Sequence, residues 1–208
     1  MVFIYPVCSI SKKMDVENVF YNKNKPFNGP LLLKPKIFFD ERGFFMESWN
    51  MNKFQNIINN DEITSEKIKF VQDNHSCSNK GVLRGLHFQA SPFAQGKLVR
   101  CISGEVFDVL IDIRKNSKSF GNWAGVFLSA KNFKQLWIPK GFAHGFLAIS
   151  DNSELFYKTT NFWEKNYEKT IRWNDPTIGI EWPNVVKEYT ISEKDSKAPS
   201  FRQIFNLK

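Results

Sequence analysis

The sequence predicts an all-β fold, an antiparallel sandwich or barrel of the jelly-roll kind. From Gly96 onward, short runs rich in Val, Ile, Phe, Tyr and Trp follow one another, cut by Gly, Pro, Asn and Ser turns. No helical periodicity separates these runs, which argues against parallel βαβ units. The chain also carries 21 Phe, six Trp and five Tyr, rings that suit a pleated surface better than a helix.

Taken in order, the opening MVFIYPVCSI is apolar but short, has no basic leader and contains Pro6. It reads neither as a signal peptide nor as a spanning helix, so a soluble cytoplasmic protein with no membrane partner is expected. Residues 1–14 read as an N-terminal extension and 15–208 as a single domain, because nothing repeats at a fixed period and no low-complexity linker divides the chain. With 208 residues, 42% of them hydrophobic, the chain suffices for one sizeable core. Helical pattern is confined to MNKFQNIINN (51–60), where Phe54, Ile57 and Ile58 share a face, and to a turn or two near SEKDSKAP. The strand runs after Gly96 are KLVRCI, VFDVLIDIR, WAGVFLSA, QLWIPKGFAHGFLAI and SELFYKTTNFW.

The formal net charge of +8 favours an anionic partner. The lysines are scattered in short groups such as SKK and RKNSK, without the dense basic run of a nucleic-acid binder, so nucleic acid is not the expected partner. Cys8, Cys77 and Cys101 are odd in number and lack CxxC spacing, which fits buried thiols in a reducing compartment. His75, His87 and His144 are widely spaced, with no His-x-His pair and no Cys–His cluster, and no metal is expected.

The stretch GVLRGLHFQ (81–89) sets Arg84 and His87 in an apolar frame. In a regular strand, residues three apart point to opposite faces. A bulge shifts that parity by one, and Gly85 lies between them, so a break in regular pairing is predicted near Gly85. The blander reading is a solvent-facing Arg84 and a hydrogen-bonded core His87. Lys97 opens a strand, where it can reach a phosphate or an oxyanion. Tyr157 can supply a proton or simply pack with a satisfied hydroxyl. His144 reads as lying between two Gly-flanked turns, as a wall of a site or a turn histidine. Asp195 either caps the short helix that Ser192 starts or orients a histidine, and its local stretch favours capping.

These segments together resemble the dTDP-4-dehydrorhamnose 3,5-epimerase family, in order, from GPLLLKPKIFFDERGFFMESWN through FVQDNHSCSNKGVLRGLHFQ, QGKLVRCISGEVFDVLIDIRKNS, WIPKGFAHGF and FYKTTNFW to IRWNDPTIGIEWP and SEKDSKAP. The resemblance implies a cupin-like jelly-roll homodimer working without metal or cofactor on a dTDP-linked 4-keto-6-deoxy sugar. It makes His87 the base, Asp195 its orienting carboxylate, Tyr157 the acid and Lys97, with Arg84, the cations near the reacting carbonyl; the acidic oxygens of a nucleotide diphosphate are also well matched to Arg42 and Arg84. Arg42, Gln72, Asn74 and Ser76 match positions for nucleotide and diphosphate recognition, and His144 a supporting wall. Arg42, Phe45 and Glu47 belong to a stretch exchanged across the dimer, which implies shared sites. Trp163 falls where an aromatic residue, usually tyrosine, stacks on the thymine.

The chemistry explains such a set. Carbons 3 and 5 flank the ketone, so removal of either proton gives an enolate with its charge mainly on oxygen. That needs a base, a cation or donor at the oxygen, and a second proton source on the opposite ring face. The rival readings are a family member that inverts one carbon of a related nucleotide sugar, and a non-catalytic jelly roll that binds sugar nucleotides.

Overall fold

The computed structural model describes residues 14–21, 24–60 and 67–207. The expected extension, residues 1–14, lies outside them apart from Met14. The chain runs through β1 (Asp15–Tyr21), β2 (Lys25–Lys34), β3 (Ile37–Asp40), β4 (Gly43–Met46), α1 (Met51–Asn60), β5 (Gln72–Ser78), β6 (Val82–Gln89) and β7 (Lys97–Ser103). It continues through β8 (Glu105–Asp112), β9 (Trp123–Ser129), β10 (Gln135–Ile138), β11 (Phe142–Ala148), β12 (Ser153–Thr159), β13 (Glu168–Thr170), β14 (Thr190–Ile191), α2 (Glu193–Ser196) and α3 (Phe201–Phe205).

The strands form a sandwich, as the alternating runs predict. One sheet has the order β1-β2-β10-β7-β12-β5; the other has β13-β6-β11-β8-β9, with β14 added in parallel to β6. Every second residue of β7, β8, β11 and β12 faces the space between the sheets. There Val99, Cys101, Val106, Leu110, Phe142, Phe146 and Leu155 make one apolar core. Each fully buried side chain of this kind contributes about 1.5–3 kcal/mol.

The outer faces are covered separately. Helix α1 lays Phe54 and Ile58 over Leu31, Leu33, Leu98 and Trp137 of the first sheet. Phe201 and Phe205 of α3, with Ile171 and Ile178, cover Leu83, Leu86, Val109 and Leu147 of the second. Asp112 ties a turn to this framework: its buried carboxylate accepts from Arg114 and from the hydroxyls of Ser117 and Ser119.

Two strand readings need correction. QLWIPKGFAHGFLAI is two strands in different sheets, broken at Pro139, which has no amide to donate, and at Gly141, with φ +86°. His144 therefore lies inside β11, paired with His87 and Leu110, and not between turns. SELFYKTTNFW ends as a strand at Thr159, and Asn161 to Trp163 form a loop.

Candidate active site

The same alternation that builds the core delivers polar groups into it. The inward series of β7 is Lys97, Val99, Cys101; that of β8 is Val106, Asp108, Leu110; that of β11 is Phe142, His144, Phe146. In β12, Leu155 is followed inward by Tyr157. Lys97, His144 and Tyr157 meet in a cavity of about 750 Å³, which Arg84, His87, Asp195, Gln72, Asn74, Ser76 and Trp163 also line.

Arg84 and His87 share this cavity because β6 is bulged where predicted. His144 pairs with His87 and Phe146 with Arg84, so a step of two residues on β11 spans a step of three on β6. Gly85 has φ +125° and a cis peptide bond to Leu86. The backbone of Leu86 exchanges both its hydrogen bonds with Ile171, at 3.2 and 2.9 Å. A Cβ on Gly85 would stand 2.6 Å from the Cα of Gly145, and one on Gly145 would stand 2.6 Å from the carbonyl oxygen of Arg84. Both positions therefore require glycine. Leu83 and Leu86 stay in the outer cluster while Arg84 and His87 turn inward.

His87 Nε2 lies 2.7 Å from Asp195 Oδ1, and the Gly85 amide donates to Asp195 Oδ2 at 3.1 Å. The carboxylate thus reads both the histidine and the bulge. Asp195 is not the helix cap: Ser192 caps α2, its hydroxyl accepting from the Asp195 amide at 3.1 Å, and the Asp195 side chain is left for His87. Burial raises the Asp195 pKa, but the hydrogen bond and charge of His87 and the Gly85 amide together hold it below the ordinary carboxylate value. An acceptor on Nε2 fixes the proton there and leaves Nδ1 as the basic nitrogen.

His144 forms a second, drier pair. Its Nε2 is 3.0 Å from each carboxylate oxygen of Asp108, and both residues are buried. Burial lowers the His144 pKa against the pull of Asp108, with Lys97 and His87 adding to the lowering. Lys97, 8% exposed, has its ammonium pushed down to about 8 by burial, against the attraction of Asp108 and Glu168. Tyr157 is raised by burial and by Glu168, with Arg84 opposing, so its hydroxyl keeps its proton at neutral pH. Its ring meets that of His144 edge-on at 6.4 Å.

Arg84 is anchored by donation to Ser78 Oγ at 3.1 Å and to the Cys77 carbonyl at 3.4 Å. Gln72, Asn74 and Ser76 alternate along β5 onto the cavity wall. Gln72 donates to Asn74, and the buried Ser76 hydroxyl has no partner among the described residues. Trp163 is half exposed at the cavity edge.

Arg42, Phe45 and Glu47 do not join the cavity of their own chain. Strands β3 and β4 pair only with each other, and this separate two-stranded sheet meets the sandwich through Phe39 and Phe44, whose rings contact Phe133 edge-on at 6.3 and 4.9 Å. Arg42 is forked onto Asp40, Phe45 is 71% exposed, and Glu47 bonds Lys53 and Asn50 beside α1. Sequence reading missed Asp108, Glu168 and Lys194, as well as Gln89 and Gln95 on the cavity wall. An acid in the apolar run VFDVLIDIR was a usable signal for Asp108. The Glu168–Lys194 ion pair at the cavity joins segments 26 residues apart and has no local signature.

Residues 24–203 match the family described as dTDP-4-dehydrorhamnose 3,5-epimerase. The dTDP-4-dehydrorhamnose 3,5-epimerase of Shigella flexneri is 57% identical over 171 residues, 82% of this chain and 90% of that protein. That of Escherichia coli strain K12 is 52% identical over 178 residues, 86% of this chain and 92% of that protein. The crystal structure of dTDP-6-deoxy-D-glucose-3,5-epimerase from Legionella pneumophila, in complex with dTDP-4-keto-L-rhamnose, superposes with a TM-score of 0.82 at 42% identity, covering 93% of this chain and 96% of that one. By fold, by sequence along most of its length and by the family match, the chain belongs to the dTDP-4-dehydrorhamnose 3,5-epimerase family.

Proposed function

We propose that the chain inverts carbons 3 and 5 of dTDP-4-keto-6-deoxy-D-glucose, with His87 as base, Asp195 as its orienting partner, Lys97 at the enolate oxygen and Tyr157 as the acid. The observation that carries this division of labour is that His87 and Tyr157 come from facing sheets. A sugar ring held between them has a base on one face and a proton donor on the other, which inversion requires. His87 Nδ1 takes the proton at carbon 3 or 5, and the electron pair moves onto the ketone oxygen beside the Lys97 ammonium. As Tyr157 delivers its proton to the opposite face the enolate pair returns to carbon, and exchange with solvent then takes the proton from His87 and restores one to Tyr157 before the second carbon reacts. Arg84 and Lys194 supply cations for the diphosphate, Gln72, Asn74 and Ser76 a polar wall, His144 a neutral backing group and Trp163 a shelf for the base.

The test is NMR of that substrate in heavy water. Deuterium entering at carbons 3 and 5 with both centres inverted supports the reading, exchange at one carbon replaces it with a single-carbon epimerase, and binding without exchange removes the chemistry. Tyr157→Phe is expected to lower inversion at least about tenfold more than it lowers exchange, since the base still acts while the opposite-face donor is gone. Equal losses in both would reject Tyr157 as that donor.

A homodimer with shared sites is part of the proposal. Its support is the hairpin of β3 and β4, which exposes Phe38, Phe39, Phe44 and Phe45 instead of burying them. Mixing Arg42→Ala with His87→Ala subunits is expected to restore about a quarter of wild-type activity, because half of random dimers are mixed and each rebuilds one of its two sites. No recovery would mean that each site is built from one chain. A reducing cytoplasm is the proposed compartment, supported by the free thiols of Cys77 and Cys101, of which Cys101 is buried as expected while Cys77 is exposed. Among the described residues no helix is long and apolar enough to cross a membrane.

A further inference from the structure

Once β12 ends at Thr159, the loop that carries Trp163 leaves the sheet ladder, and its backbone must find partners elsewhere. Three glutamine side chains from three separate places provide them. Gln89, the last residue of β6 and 7% exposed, donates its amide to the carbonyls of Phe162 at 3.1 Å and Phe93 at 2.7 Å, and its side-chain oxygen accepts from the Glu164 amide at 2.6 Å. Gln95 donates to the Asn161 carbonyl at 2.8 Å. Gln72 accepts from the Trp163 amide at 3.0 Å. The backbone on both sides of Trp163 is thereby held by carboxamides, with Gln89 bonded to residues immediately before and after it.

All three glutamines line the cavity. Gln89 shares the inward face of β6 with His87, two residues earlier. Yet the hydrogen bonds of Gln89 run away from the histidine, toward the loop and toward Phe93 in the connection to β7. An amide oxygen and an amide NH2 on one planar group are suited to this, because a loop of mixed direction offers both carbonyls and N–H groups. No apolar residue of equal length does the same.

We propose that Gln89, supported by Gln95 and Gln72, is a positioning residue for the Trp163 shelf, setting affinity for the nucleotide and not the rate of proton transfer. The inference rests on Trp163 being the surface on which the base stacks. Truncating the clamp frees a ring that must then be ordered at each binding event. That loss is common to ground state and transition state, so it raises KM and leaves kcat nearly unchanged.

The test compares Gln89→Met, Trp163→Ala and the double variant for TDP affinity by calorimetry, and for kcat and KM with the keto sugar. Gln95→Met serves as a milder cut. Gln89→Met is expected to weaken TDP binding and raise KM about tenfold with kcat within about threefold, and Gln95→Met to weaken TDP about threefold. In the Trp163→Ala background Gln89→Met should add less than about twofold, because the ring it positions is already gone. TDP affinity within about twofold of wild type for both glutamine variants, a kcat loss matching the KM rise, or equal losses in both backgrounds overturns the inference. If Gln89→Met does not fold, Gln95→Met and its double with Trp163→Ala decide by the same criteria. Wild-type TDP affinity in Trp163→Ala would sink the stacking reading itself, a result distinct from a clamp that fails while stacking holds.

Discussion

Replacing His87 with alanine is expected to cut deuterium uptake at both carbons about 10²–10⁴-fold while TDP affinity stays within about twofold, as removal of a general base acting on the sugar should. One histidine serves both centres because the enolate formed from either carbon places its charge on the same oxygen, beside Lys97. The variant is also expected to be less stable near neutral pH. The Asp195 pKa lies below its ordinary value because His87 first, then the Gly85 amide and Lys194, offset the burial that raises it. That lowering contributes stability above the unfolded-state pKa, lost as pH falls through the folded value, and without His87 the contribution at neutral pH shrinks to what the Gly85 amide and Lys194 supply against burial. Wild-type exchange at either carbon would remove His87 as the base there; unchanged thermal stability would argue against its coupling to Asp195.

Lys97→Met is expected to behave in the opposite sense on stability. Losing a cation at the enolate oxygen should lower kcat about 10²–10³-fold, or about 2.7–4 kcal/mol of transition-state stabilisation. The folded ammonium titrates at about 8, against 10.5 for an ordinary lysine, so holding it charged in the cavity costs on the order of 3 kcal/mol. Methionine of similar length removes that cost, and melting at pH 7 should move upward. The wild type should itself gain stability as pH rises from about 8 to 10.5, the window in which the unfolded chain holds the proton and the folded chain has shed it. In the same window kcat should fall. A Lys97→Met enzyme with wild-type kcat would remove the lysine from the oxyanion's neighbourhood. A lower melting temperature would show that the ammonium is better paired than its burial implies.

Much of the sandwich was legible because the period of two is a local property. The strands from Lys97 to Thr159 could be drawn from apolar runs and turn residues, and the fault at Gly85 followed from one arithmetic conflict, two polar residues an odd number apart. Local reasoning fails where a partner is distant. Nothing around Asp195 tells that its carboxylate meets a strand 108 residues away and leaves capping to Ser192. Gln89 closes the GVLRGLHFQ stretch yet looked like an ordinary polar strand end, since its three hydrogen bonds go to loops whose path depends on the completed sheets. Asp108 is the instructive miss, because the same inward alternation that carries Lys97 and Tyr157 runs through it. The hairpin of Arg42 and Phe45 was readable as a hairpin, but where it sits relative to a cavity is a question of assembly that one chain does not answer.

The paired glycines of β6 and β11 carry a consequence for how this site can change over time. Most tight contacts in a protein are negotiable: when one residue grows, its neighbour is exchanged for a smaller one. At the crossing of Gly85 and Gly145 each side has already been reduced to bare backbone, and what an added methyl group would strike is Cα and carbonyl oxygen. No second substitution can make room. The crossing is therefore a dead end for stepwise divergence, and new specificities on this scaffold must be explored at the rim, around the shelf and the hairpin, while the strand crossing beneath His87 and His144 stays as it is.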